Sequence, residues 1–366
     1  MLQPGEAVGG RYEVVALIGE GAMGAVYEAT ERATGRGVAI KVLHPEYARV
    51  PDIVRRFDRE ASVAAAVGHP GVVEVFDRGT HAGAAFLVMA LLRGETLAAR
   101  LDREAVLAPA ASVEIAGRVL SALAAAHAKG IIHRDLKPEN VFLVADEGDG
   151  GVRLIDFGVS KFRRAQGSLD HSTLEGTLFG TPGYMAPEQC MGQRDIDHRA
   201  DVFAVGALLY EMLTGRLPFV GAHRGELFLE VVRGTSPPEP PSRLVPALPA
   251  GLDEPVLRAL ERDRARRFGS AREFLDALRP FGAGGIDAVS LPPAAPINID
   301  DDEPPVPLRR SSRAPRRPVA PRRPVARRRP RIAPAAAALL SLALLSLAVL
   351  AWRRCAFRAQ ATSLSP

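Results

Sequence analysis

The chain has 366 residues, 47% of them apolar, and a formal net charge of +5; it can bury a substantial core and is too long for one small domain. The charge is unevenly placed: residues 300–366 hold fourteen arginines, no lysine and four acids, a net +10, so residues 1–299 carry −5 and no basic nucleic-acid groove is expected in the body. Two cysteines, Cys190 and Cys355, exclude a disulfide framework or a cysteine metal cluster and suit a reducing compartment.

The opening stretch MLQPGEAVGGRYEVV has no basic run followed by an apolar one, so no signal peptide is expected and the body should stay on the side of the membrane where it is made. Alternating apolar residues predict strands over 12–18, 26–29 and 38–43, with glycine turns between them. Residues 52–67 have helical spacing, with Ile53, Phe57 and Ala61 on one face and Pro51 where a helix start tolerates it. Two more strands are expected at 72–76 and 85–89, which makes a small strand-rich lobe with one helix. From about Thr96 the character changes. The stretch SVEIAGRVLSALAAAHAKG predicts an amphipathic helix ending at Gly130, and DVFAVGALLYEMLTG (201–215), apolar nearly all round, predicts a buried one. EPVLRALERDRARRFGSAREFLDAL predicts two further helices joined at 268–270. Near Gly282 the folded pattern ends, and Gly, Pro, Ala and Arg dominate to residue 331. The run DEGDGG (146–151) lacks the acidic spacing and final glutamate of a calcium loop and reads as a hairpin turn.

Five short segments carry chemistry. GEGAMGAVYEA places Gly19, Gly21 and Gly24 as G-x-G-x-x-G, and glycines let a backbone approach phosphates without a Cβ in the way. A strand follows rather than the helix that a dinucleotide-binding turn requires. VAIK ends a strand on Lys41, whose charge needs a partner if it points into a cleft; Glu60, 19 residues later on the predicted helix, can supply one. HRDLKPEN packs an imidazole, a guanidinium, two carboxylates, an amine and an amide into residues 133–140, flanked by the apolar Ile131, Ile132, Val141, Phe142 and Leu143. There Asp135 can accept a hydroxyl proton, Lys137 can neutralise a phosphoryl oxygen, and Asn140 can bind a metal. IDFG sets Asp156 after an apolar strand and before a glycine pivot, and GTPGYMAPE follows at 180–188.

In this order the five segments resemble the eukaryotic-type (Hanks-type) serine/threonine protein kinases, with the bacterial membrane-anchored members in view, over about residues 12–280. The resemblance implies an α+β, bilobal protein kinase fold, with a β-rich N-lobe over about 12–91 and a helical C-lobe over about 92–280. It implies that Gly19, Glu20, Gly21, Ala22, Met23 and Gly24 cover the phosphates of ATP, and that Lys41, paired with Glu60, holds the α- and β-phosphates. Asp135 then positions or deprotonates the acceptor hydroxyl, Lys137 marks a serine or threonine acceptor, and Asn140 and Asp156 hold Mg²⁺ or Mn²⁺. Val26, Ala39 and Phe142 enclose adenine; Met89 is the gatekeeper and Ala90 and Leu91 the hinge, where many kinases carry a glutamate and an aromatic residue. Thr181 contacts the catalytic loop, Glu188 pairs with Arg267, and Asp201 braces the loop from the buried helix.

Arg134, beside the catalytic carboxylate, goes in this family with phosphorylation of the activation loop. Ser172, Thr173 and Thr177 are on offer there; Thr173 and Thr177 are the favoured sites, against the plain reading of polar loop residues. The expected partners are proteins with Ser/Thr acceptors and a second copy in a transient homodimer. Two rivals share the fold: a pseudokinase scaffold, disfavoured because Lys41, Glu60, Asp135, Asn140 and Asp156 are all kept, and a small-molecule phosphotransferase, disfavoured by the peptide-suited segment at 180–188.

Residues 332–352 are 21 consecutive uncharged positions, about 30 Å of helix at ~1.5 Å per residue and the thickness of a bilayer core. A transmembrane helix is expected there, a core helix being the rival. Eleven arginines between Arg309 and Arg331 precede it and three follow, which places the kinase on the cytoplasmic side of the cell (inner) membrane in a single pass. The linker 281–331, with APRRPV at 314–319 and again at 320–325, is expected to be disordered and extended; its arginines either contact anionic lipid or only fix topology. Residues 353–366 are expected as a short non-cytoplasmic tail, too short for an external sensor domain. Cys355 is a lipidation or cross-linking candidate or simply incidental.

Overall fold

A computed structural model describes residues 1–21, 23–145, 151–157, 182–234 and 236–282. The expected linker from 283, the span 332–352, the tail, the run at 146–150, Ala22, Ser172, Thr173, Thr177 and Thr181 lie outside the described residues. Among the described residues no helix is long and apolar enough to cross a membrane.

The N-terminal lobe is one antiparallel sheet. Its strands are β1 (Ala7–Val8), β2 (Tyr12–Glu20), β3 (Gly24–Glu31), β4 (Gly37–Leu43), β5 (Val75–His81) and β6 (Ala84–Ala90), in the order β1-β2-β3-β4-β6-β5. Partners directly opposite in such a sheet share a face. Val26 opposes Lys41 and Ala39 opposes Met89, so these four lie on one face. The other face carries Val14, Tyr27, Val38, Ile40 and Val88, which form a separate buried cluster. Helices α1 (Pro45–Ala48) and α2 (Pro51–Val67) follow β4. On α2 the expected stripe is buried at Phe57 and Ala61, continues through Ala64, and leaves Ile53 at its edge.

The C-terminal lobe holds a small sheet of β7 (Gly94–Thr96), β8 (Val141–Val144) and β9 (Val152–Leu154), with α3 (Leu97–Glu104) and α4 (Pro109–His127) beside it. Further on come α5 (Pro187–Cys190), α6 (Arg199–Thr214), α7 (Arg224–Arg233), α8 (Pro241–Leu244), α9 (Asp253–Ala259) and α10 (Ala271–Leu278). Helix α6 is buried from Ala200 to Tyr210 without a break, as its all-round apolarity requires.

Two expectations change. The strand expected at 72–76 divides: Val73 N–H donates to the Leu154 carbonyl (3.0 Å) and Val72 bridges Leu154, while the hydrogen bonds to β6 begin at the Glu74 carbonyl and the register of opposed residues at Val75. A single apolar run thus serves both sheets. The helix expected to run to residue 268 stops at Ala259. Buried Arg267 explains it, because its side chain donates to the carbonyls of Glu261 (2.7 Å), Arg262 (3.1 Å) and Arg199 (3.0 Å) and to both Glu188 oxygens (2.7 and 2.8 Å). All five guanidinium N–H groups are used, and the chain turns around the cation instead of continuing as helix.

With side-chain exposures of 0% and 4%, neither partner can fall back on water if the other is removed. Arg267→Met is therefore expected to destabilise the fold by about 3–5 kcal/mol, and Arg267→Lys, which cannot reach five acceptors, by a smaller amount; urea denaturation followed by circular dichroism checks both.

Candidate active site

The glycine turn between β2 and β3 is closed by Gly21 N–H donating to the Gly24 carbonyl (2.9 Å). Position 24 admits only glycine, since a Cβ there would lie 2.3 Å from the Val42 carbonyl oxygen. Gly19 opposes Val26 across the hairpin, and the register breaks between Leu17 and Gly19. Such an irregularity bends the strand and re-aims the residues beyond it.

Below this turn, three elements bring their charges to one point. Lys41 of β4 places Nζ 3.3 Å from Oε1 of Glu60 on α2 and 2.7 Å from Oδ1 of Asp156, which follows β9. Burial is the largest influence on all three and opposes charge on each. The carboxylates outweigh it at Lys41 and hold the ammonium above its usual range. One ammonium cannot neutralise two carboxylates. Asp156, the nearer, stays below the usual carboxylate range through Lys41, whereas burial, with added repulsion from Asp156, pushes Glu60 up to about 8. Asp156 also exposes 43% of its side chain against 15% for Glu60, so it is the carboxylate a cation can reach.

Asp156 sits at φ +59° and Arg134 at φ +64°, left-handed conformations that cost a non-glycine residue energy and persist only where neighbours impose them. The neighbours are visible. Phe157 is buried with its ring 4.7 Å from that of His133. Asp201 of α6, itself buried, accepts from the backbone N–H of His133 and of Arg134 and from Nε2 of His127, each at 2.8 Å. Burial opposes its charge, but His127 and these donors hold its pKa below the ordinary value.

Inside the loop, Asn140 Nδ2 donates to the Asp135 carbonyl (2.8 Å) and to Asp135 Oδ2 (3.3 Å), and Ile155 N–H donates to the Asn140 carbonyl (3.0 Å). Asp135 and Asp156 are thus held in one frame. Lys137 lines the same small cavity as Asp135, together with Tyr184 and Gln189. The expected adenine set is partly buried: Ala39 is buried, and Val26, Met89, Leu91 and Phe142 are half-buried, with Phe142 on the face of β8 opposite Val141 and Leu143. At the hinge, Ala90 N–H is taken by the Glu74 carbonyl (2.9 Å), which removes that amide from adenine recognition. Glu20 and Met23 flank the glycine turn and are exposed. Gln189 and His127 are not marked by any motif in the sequence. Gln189 Nε2 donates to the Arg134 carbonyl (2.9 Å), a contact that no spacing announces; His127 could be suspected only as an imidazole at a helix end six residues before His133.

The donor set fits a hard divalent ion. Asn140 spends its amide nitrogen on Asp135, which leaves its oxygen for a ligand, and Asp156 adds a carboxylate. Among the described residues no group of three or more His, Cys, Asp or Glu could hold a metal unaided, so the other ligands must come from phosphate or water, as Mg²⁺ prefers.

A lysine–carboxylate pair thus lies under a glycine hairpin, with an aspartate and an asparagine on a braced loop between two lobes. A protein kinase domain model matches residues 12–273, and the chain belongs to that family. Among curated proteins it is similar to the serine/threonine-protein kinase Pkn1 of Myxococcus xanthus, 39% identical over 300 residues that make up 78% of this chain and 42% of that protein. It is also similar to the serine/threonine-protein kinase PknA of Mycobacterium tuberculosis, 35% identical over 76% of this chain and 63% of that one. The chain thus spans about two-fifths of Pkn1. The crystal structure of the Mycobacterium tuberculosis PknI kinase domain superposes with a TM-score of 0.59 at 33% identity, covering 77% of this chain and all of that one.

Asp201→Asn removes a buried charge that serves three donors, and is expected to cost about 3 kcal/mol of stability. Because the folded pKa of Asp201 is depressed, the wild-type contribution is complete above the unfolded value of about 3.9 and is lost as pH falls through the lower folded value. Urea midpoints measured from pH 7 down to acid should therefore converge for wild type and Asp201→Asn only at the acid end.

Proposed function

We propose that the protein transfers the γ-phosphoryl group of ATP to serine or threonine hydroxyls of protein substrates. The observation that carries this reading is the meeting of Lys41, Glu60 and Asp156 beside a loop on which Asn140 holds Asp135. The names of the relatives as serine/threonine-protein kinases support it. Lys41 contributes a fixed positive charge for phosphate oxygens, kept by its two carboxylates. Asp135, oriented by Asn140 Nδ2, accepts the proton of the attacking hydroxyl. Asn140 and Asp156 would hold Mg²⁺, which when bound offsets the charge that develops on the transferred group. Lys137, beside Asp135, offers a further cation there. A scaffold would have no chemical need for this whole set.

We further infer that residues 332–352 tether the kinase to a membrane, supported by their length without charge and by the arginine excess before them. Thr173 and Thr177 are the proposed sites of autophosphorylation between two copies, and Arg134 supplies the charge a phosphate would meet.

Asp135→Asn should lower phosphate transfer from labelled ATP to a generic basic protein by at least ~10²-fold, the usual scale for a lost general base, with the fold intact by circular dichroism. Label on peptides containing Thr173 and Thr177 should vanish in the same variant. Unchanged transfer would overturn the mechanism. The full chain expressed in bacteria should sediment with membranes after a carbonate wash, and a form lacking 332–352 should not.

A further inference from the structure

Lys129 is a charged group the proposed mechanism does not use. It lies just past α4, and its side chain crosses to the C-terminus of α2, where Nζ donates to the carbonyls of Ala66 (2.7 Å) and Val67 (3.0 Å). The last carbonyls of a helix have no partner within it and form the negative end of its dipole, so an ammonium is the group best suited to that place. Gly68 ends α2 at φ +61°, and Nζ lies 4.0 Å from where a Cβ on that glycine would sit.

The chain beyond is fastened to the same lobe. His69 accepts from Gly71 N–H through Nδ1 (2.9 Å), and its Nε2 lies 3.4 Å from Oγ of Ser121 on α4. Leu154 N–H donates to the Gly71 carbonyl (2.8 Å), and Val73 N–H donates back to the Leu154 carbonyl. Two residues after Leu154 comes Asp156. The other end of α2 is looser: Val50 precedes Pro51, no side chain caps the first turn, and Val50, Pro51 and Asp52 are exposed. Midway along the helix, Arg78 of β5 donates to the Asp58 carbonyl (3.2 Å) and to Ser62 Oγ (2.8 Å), so α2 is held from the sheet at its middle and by Lys129 at its C-terminus. Glu60 lies between the two Arg78 contacts and seven residues from Val67, about 10 Å along the axis from Lys129, so a shift at the C-terminal anchor is passed along the helix to its carboxylate.

We propose that Lys129 is a positioning residue for phosphoryl transfer: by holding the C-terminus of α2 against α4, it sets the place at which Glu60 meets Lys41 and Asp156. The proposal rests on the kinase reading above. At 3.3 Å the Lys41–Glu60 contact is already near the outer limit of a hydrogen bond, and a shift of about 1 Å at the C-terminal anchor breaks it.

A double-mutant cycle on the full-length protein tests this. Lys129→Met should lower kcat about tenfold, the scale of one lost charge-assisted hydrogen bond, and Lys129→Arg should restore most of it. In a Glu60→Gln background Lys129→Met should add nothing, because the residue it positions is already gone. A loss of the same factor in both backgrounds, or no loss in the wild-type background, overturns the proposal. If Lys129→Met does not fold, Lys129→Gln replaces it, with hydrogen exchange as a second readout: faster exchange over 60–67 with β6 unchanged is expected, and unchanged exchange over 60–67 overturns the anchor. Wild-type protein that transfers no phosphate would sink the kinase reading instead, and the exchange measurement would still judge Lys129.

Discussion

One ammonium facing two carboxylates is the constraint on which the site depends. Lys41 comes from β4, Glu60 from α2 and Asp156 from the segment after β9, so three separate elements must be in register before the charges can meet. Removing Lys41 would leave two carboxylates in a partly desolvated site with no counter-charge, which costs far more than an exposed pair contributes. The antiparallel register of β3, β4 and β6 puts Lys41 on the face that also carries Val26, Ala39 and Met89. Cleft chemistry and sheet pairing are therefore one geometric fact.

The C-terminal lobe solves a related problem with buried polar pins. Asp201 holds the loop at His133 and Arg134, and the Glu188–Arg267 pair gathers the segments near α5, α6 and α9 around one cation. In a low-dielectric interior such groups cannot exchange partners with water, so fully satisfied networks dictate a single arrangement. That rigidity sustains the left-handed backbone at Arg134 and Asp156.

Much of this was legible in the sequence. Strict alternation and glycine turns announced β2, β3 and β4, and the 3.6-residue stripe announced α2, because local sterics and one-sided burial set both patterns. Lys41, Glu60, Asp135, Asn140 and Asp156 were legible as chemistry, since each motif is local even where its partners are not. The end of α9 was not: helix-forming residues continue past Ala259, and only a distant glutamate makes Arg267 turn the chain back on itself. The division of the 72–76 run was equally hidden, for periodicity marks an apolar strand without saying which sheet receives it. The Ala90 amide, Gln189 and His127 were missed for the same reason, their partners lying 16, 55 and 74 residues away.

By itself, the sequence determined the order of lobes, the identity of the reactive groups and the charge asymmetry between the body and the segment from 300 onward, since composition and short-range pattern suffice for these. Tertiary structure alone decided which carboxylate lies nearer Lys41, how burial divides protons between Glu60 and Asp156, and where along its length α2 is fastened. Those outcomes depend on distances of a few ångströms between residues far apart in the chain, and electrostatic energies in a partly desolvated cleft change steeply over that range.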